Sequence, residues 1–441
     1  MISAWFLLSR LKRVTRENIT VWIIFMILIV GYYMKFYYFV RGFILGENIV
    51  ETAVLMGEYA ASFASPELLL DCFTSISLSF VLFAVIACYI LRGPQETAGS
   101  TRSYGRKIFW KRRCHIALSV ACILAVISGF LRWFFNLDLP GEAVILPYKI
   151  AGITTITNTH ITSFLLGLAL IYAIRSDERK VVRYSIIFFL SWGAIHYFLF
   201  GSKLFLVMPM LWIILIGLWE KRTLIQMRYV VGFGSLFVIL YPFLNLVRVA
   251  RREGTSEGLL LYVMEAIMGI DGTGQFAGSL SAVSFGLLGL MSRIVGLDSM
   301  MILAALKPGF DDIGLGSILG GQSEHLLTTY ILRWDNETGI AQSLLGQAYF
   351  HTGSAVLTAI LIGAWTVFTY QVARGLYKIN TSFSQTLWVT WIASVLQWTS
   401  DGFTSTKMFM FLVSALPIYF IISIIEGKLS RITVGAVGTV K

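Results

Sequence analysis

The stretch "CFTSISLSFVLFAVIACYIL", residues 72–91, holds no charged side chain, and "RGPQETAGSTRSYGRKIFWKRR", residues 92–113, follows it with seven basic residues and one glutamate. An uncharged helix of that length covers a bilayer core about 30 Å thick, rising about 1.5 Å per residue. The pair reads as a membrane crossing and the cationic loop it feeds. Similar apolar runs lie at 20–40, 114–132, 152–173, 184–200, 203–219, 229–247, 353–371, 385–400 and 407–425. With 57% hydrophobic and 13% charged residues and a mean hydropathy of +0.76, the 441-residue chain has too few polar groups to coat a soluble globule. The pattern predicts an all-α polytopic integral membrane protein of about 10–12 transmembrane helices.

Charge between the runs fixes the expected orientation, because cationic loops stay in the cytoplasm. The N-terminal segment carries Arg10, Lys12, Arg13 and Arg16 against one acid, whereas 41–71 carries Arg41 against Glu47, Glu51, Glu58, Glu67 and Asp71. The alternation continues, with 174–183, 220–228, 374–384 and the C-terminal tail all net positive. With both termini cytoplasmic, the inner segments hold 23 of the 35 Lys and Arg residues but only 6 of the 24 Asp and Glu residues. The net charge of +11 therefore follows the membrane, and nucleic acid is excluded as a partner. The first 20 residues, "MISAWFLLSRLKRVTRENIT", lack a small-residue cleavage site and read as a retained interfacial segment. Cys72, Cys88, Cys114 and Cys122 lie in or beside apolar runs, with neither a disulfide framework nor zinc spacing.

Three parts follow: an N-terminal bundle of about seven crossings over 1–247, a large extracytoplasmic segment over 248–352, and a C-terminal bundle of about three crossings over 353–441 that ends in a short tail. The apolar stretches within 259–306 allow two readings. They are amphipathic helices packed over or dipping into the outer half, or two further crossings that raise the count to twelve. Glu265, Asp271, Arg293 and several glycines favour the first.

Candidate chemistry gathers outside. In "YPFLNLVRVARREG", 241–254, Arg248, Arg251 and Arg252 share one helical face on the side that normally sheds cations. Guanidinium groups match phosphate oxygens in a bidentate way, so the trio suits a phosphate at headgroup height; a plain interfacial anchor is the alternative. "HYFLFGSKLFLVMPM", 196–210, places Lys203 at a tight outer turn, as a snorkelling anchor or as a counter-charge to an anionic substrate. His196 precedes it on the same hairpin and reads as a packed helix residue. Arg293 stands alone among apolar neighbours in "GLLGLMSRIVGLDSM". The glycine-rich loop 308–339 offers Glu324 and His325 as bases, and Tyr330 and Trp334 as surfaces on which sugars stack.

The hairpin "FLFGSKLFLVMPMLW", the exit "YPFLNLVRVAR", the isolated "MSRIVGLDSM" and the return "IAQSLLGQAYFHTGSAVLTAILIG" together resemble the Wzy-type polymerases of O-antigen and capsular oligosaccharide repeat units. The likeness spans about 190 to 370. "SLLGQAYFHTG" resembles the family's Ser-x-x-Gly-Glu-x-Tyr-x-x-x-Gly re-entry, with Gln347 where an acid often stands. The resemblance implies a helical fold similar to the lipid-dependent (GT-C-like) glycosyltransferases, in the bacterial inner membrane with the active site facing the periplasm. The implied substrates are undecaprenyl-pyrophosphate-linked oligosaccharides, with membrane lipid around the chain, no cofactor or metal, and a chain-length regulator as partner. On that reading Arg248 and Arg293, supported by Arg251, Arg252 and Lys203, hold pyrophosphate. His325 is the catalytic base, with Glu324 or His351 as substitutes, and Trp334, Tyr330 and Tyr349 contact sugar. Two rivals are an O-antigen ligase, with the same donor and another acceptor, and a transporter of lipid-linked oligosaccharide. The latter needs charges deep in the bundle, where the sequence offers little beyond Lys35.

Overall fold

The computed structural model describes residues 15–36, 65–91, 107–135, 154, 157–200, 204–222, 224, 232, 235, 296–309, 343–379 and 381–437. These residues form helices and no strand. In chain order the helices are α1 (Ile19–Ile27), α2 (Pro66–Leu91), α3 (Lys107–Phe134), α4 (Thr162–Ser176), α5 (Arg179–Phe200), α6 (Leu204–Glu220), α7 (Leu297–Leu306), α8 (Leu344–Thr352), α9 (Ala355–Ile379), α10 (Ser382–Asp401) and α11 (Ser405–Val437). Wider π-type turns extend α1 over Leu28–Met34 and lead into α4 over Thr157–Ile161.

Among the described residues, four stretches are long and apolar enough to cross a membrane: Pro66–Leu91, Lys107–Arg132, Ala355–Ile379 and Lys407–Glu426. The run at 229–247 lies outside the described residues, apart from Gly232 and Ser235. Helices outrun their apolar cores. α3 begins at Lys107, seven residues before the apolar run, and takes Lys111, Arg112 and Arg113 into its first turns. Backbone hydrogen bonding continues into the polar zone, whereas hydropathy marks only the part that shuns water.

The chain forms two compact units, interleaved along the sequence. One comprises 1–97, 280–378 and 391–410; the other comprises 98–279, 379–390 and 411–441. In the second unit, α4 is the axis. Every residue from Thr162 to Ser176 is buried, and α3, α5 and α6 pack against it. Gly167 makes that packing possible, because a β-carbon there would overlap the Trp212 ring of α6. α4 ends at Asp177, whose left-handed φ of 58° is one an aspartate tolerates. Its carboxylate accepts from Lys107 Nζ at 3.0 Å and Arg222 Nη1 at 3.1 Å, tying the start of α3 and the residue two beyond α6 to this corner.

In the first unit the short helices α7 and α8 pack on each other, and α7 packs on α2. At about 1.5 Å per residue, neither the 10 residues of α7 nor the 9 of α8 can span a bilayer. Both are almost wholly buried. Gly296, at the N-cap of α7, lies so close to Gly31 that any β-carbon would overlap the Gly31 carbonyl. Glycine here serves backbone-to-backbone contact.

Candidate functional site

The helix that carries "SLLGQAYFHTG" is held at three points. Ser343 caps α8 at φ 55° and ψ 145°, a strained conformation for a residue with a β-carbon. Its hydroxyl compensates: Oγ accepts the Gly346 N–H at 3.2 Å and the Ser299 hydroxyl of α7 at 3.0 Å. Midway along α8, Gln347 is fully buried and grips Phe403 twice. Its Nε2 donates to the Phe403 carbonyl at 2.7 Å, and its Oε1 accepts the Phe403 N–H at 2.9 Å. A carboxylate could make only the second bond. This explains why an amide, and not an acid, stands at 347: the residue orders a turn. At the far end Gly353, φ 60°, closes the helix, its N–H donating to Tyr349 O at 2.8 Å.

The clamped turn 402–404 sits between α10 and α11. Lys407 Nζ caps the end of α10 by donating to the carbonyls of Asp401 and Gly402 at 3.2 and 3.1 Å. Asp401 Oδ1 accepts the Ser400 hydroxyl at 2.7 Å. Trp365, Trp398 and Phe403 pack ring against ring around this corner. α8 thus joins a rigid aromatic and polar corner of the first unit.

Of the residues singled out by sequence, two lie in this corner. Tyr349 is half-buried, and burial raises its phenol above the ordinary range, with Asp71 and Cys72 of α2 adding to the rise. His351 is 3% exposed, with Phe350 edge-on beside it, and is closed to solvent here. Arg248, Arg251, Arg252, Arg293, Lys203, Glu324, His325, Tyr330 and Trp334 lie outside the described residues. α5 ends at Phe200 and α6 begins at Leu204. His196 is buried, its Nδ1 2.9 Å from the Trp192 carbonyl, in keeping with a packed helix residue. Among the described residues no three His, Cys, Asp or Glu side chains converge as metal ligands.

The second unit holds a buried polar network that sequence reading counted as loop charge. Arg175 donates through Nη1 to Ser382 Oγ at 2.6 Å and through Nη2 to Gln385 Oε1 at 3.0 Å. Gln385 passes the chain on, donating from Nε2 to Glu220 Oε1 at 2.8 Å. Nearby, Tyr172 donates its hydroxyl to Glu426 Oε1 at 3.0 Å, and Arg113 donates to the Glu426 carbonyl at 3.1 Å. The Arg113 guanidinium lies over the Phe109 and Trp110 rings at 3.8 and 4.9 Å, and that of Arg175 over Trp110 at 5.1 Å. Lys35, Arg113, Arg132 and Arg175 are all buried, the three arginines at the ends of their apolar runs and not midway along them. The polar spacing of Ser382 and Gln385 on one face of α10 was the available signal, and it needed the partner helices to be legible.

Fold and site together define a helical protein with, among the described residues, four helices long and apolar enough to cross a membrane, a clamped pair of short buried helices in one unit and a buried arginine network in the other. No protein-family model matches the chain, and comparison with curated proteins and with solved structures also finds no match.

Proposed function

We propose that the chain is a polymerase of lipid-linked oligosaccharide repeat units, working at the periplasmic face of a bacterial inner membrane. The observation that carries the reading is the trio Arg248, Arg251 and Arg252, cations on one helical face on the side where the rest of the chain sheds them. The short helix α8 is in keeping with it, because the segment likened to the family's re-entry is a buried helix of 9 residues that cannot span a bilayer.

On this reading the acceptor sugar hydroxyl attacks the anomeric carbon of the donor chain. The bond from that carbon to the pyrophosphate oxygen breaks, and the hydroxyl proton passes to His325, or to Glu324. Negative charge collects on the departing pyrophosphate, where Arg248 and Arg293, with Arg251, Arg252 and Lys203 around them, stabilise it. Tyr330, Trp334 and Tyr349 stack on sugar rings. The burial of His351 weighs against it as the base.

Separate Arg248→Ala and Arg293→Ala replacements in the native host test the assignment. Losing one fixed donor to a developing anion costs about 10²–10³ in rate, so each variant should display single repeat units in place of long chains. Normal chain lengths in both would sink it. Accumulated lipid-linked polymer would point to a ligase, and repeat units trapped on the inner leaflet to a transporter.

A further inference from the structure

The first turns of α3 carry five basic side chains in nine residues: Lys107, Lys111, Arg112, Arg113 and His115. Three are engaged within the protein. Lys107 pairs with Asp177 at 3.0 Å, Lys111 with Glu178 at 2.9 Å, and Arg113 turns inward to Glu426. Arg112 and His115 are exposed, three positions apart on the other face, and have no hydrogen-bond or ion-pair partner among the described residues. With Lys111 they line a shallow groove of about 440 Å³ whose remaining lining includes Ile108, Ile116 and Val120.

Toward the C-terminal end of α3 the same face becomes apolar, and Ile123, Val126, Ile127 and Phe130 are all more than half exposed. From Ile116 to Phe130 the stripe rises about 21 Å, enough to line one leaflet of a hydrocarbon core about 30 Å thick. An arginine and a histidine at the polar end of an apolar stripe at least one leaflet long have the form of one phospholipid site.

We propose that this face of α3 binds an anionic diacyl phospholipid, with its phosphate on Arg112 and His115 and an acyl chain along Ile116 to Phe130. Arginine grips phosphate oxygens in a bidentate way, and the His115 ring offers a further N–H donor beside it. A zwitterionic lipid brings its own ammonium to this cationic patch and is disfavoured. The inference needs only that α3 crosses the membrane, and is independent of any role in polysaccharide synthesis.

The test uses the purified full-length protein with phosphatidylglycerol and phosphatidylcholine as competing probes, retained lipid being counted by native mass spectrometry. The wild type should retain phosphatidylglycerol in preference. Arg112→Ala should weaken that preference about fivefold, the worth of one interfacial charge, and Arg112→Ala with His115→Ala should abolish it. Lys107→Ala, which removes the same charge from a paired position, should leave it intact. An unchanged preference in the double variant overturns the proposal, as does an equal loss in Lys107→Ala, which would mean bulk charge only. Displacement by inorganic phosphate would assign the site to a soluble anion, and a dimer dissociated by the double substitution would assign the face to a second copy; either overturns it.

Discussion

Gln347 illustrates how one atom decides a residue's role. Its amide nitrogen faces the Phe403 carbonyl at 2.7 Å in a fully buried site, so the position requires a donor there. Gln347→Glu keeps the shape and removes the donor whenever the new side chain is ionised. The variant should lose about 1–3 kcal/mol of stability at neutral pH, the cost of a buried group left unsatisfied. In acid the new carboxyl is protonated and can donate again. Its folded-state pKa is thus raised: stability is full below the unfolded value and is lost as pH rises through the folded one. Thermal melts across pH should show the variant approaching wild type in acid and falling away toward neutrality. A variant as stable as wild type at neutral pH would refute the donor role. Sequence alone did not reveal this, because the partner is 56 residues away and is a backbone group.

Among the elements, the corner at Asp177 links the starts and ends of three helices. Hydrogen bonds from Lys107 and Arg222, and their charges, hold its carboxyl below the ordinary range. Here the folded pKa is depressed, so the contribution is present above the usual carboxylate value and is lost as pH falls through the folded one. Asp177→Asn keeps the left-handed residue type and removes the charge. The wild type should melt higher than the variant at neutral pH, with the gap closing in acid and also in high salt, since the ion pairs are exposed. A gap indifferent to both would mean that the corner acts through backbone geometry alone. α10 shows the converse problem. Its Ser382, Ser384, Gln385 and Thr386 look ill-suited to lipid, yet all are buried against protein partners. The apolar run at 385–400 was legible; its role as an interior helix was not, because its polar face is satisfied by Arg175 on α4 and Gln385 by Glu220 on α6.

For the whole molecule, charge bias predicts which segments face which compartment, and chemical labelling checks it. In a variant with its own cysteines replaced, Gly254→Cys should react with an impermeant thiol reagent in intact cells. Thr101→Cys should react only after the membrane that holds the protein is opened. The reverse pattern would invert the topology and remove the basis for an outer arginine site.

By itself the sequence pointed to a helical protein with runs long and apolar enough to cross a membrane, since a segment in lipid must be long, apolar and internally hydrogen-bonded. It also set "SLLGQAYFHTG" apart as its own short stretch, which forms the short helix α8. Only the tertiary structure decided which polar residues turn inward and what satisfies them. Arg113 and Glu426 stand 313 positions apart, and Arg175 and Gln385 stand 210. Hydropathy and charge are sums over neighbours in the chain, while the partner of a buried charge is set by which helices pack together. A lone arginine beside an apolar run therefore reads as an inner-loop charge until α4 and α10 are brought into contact around it.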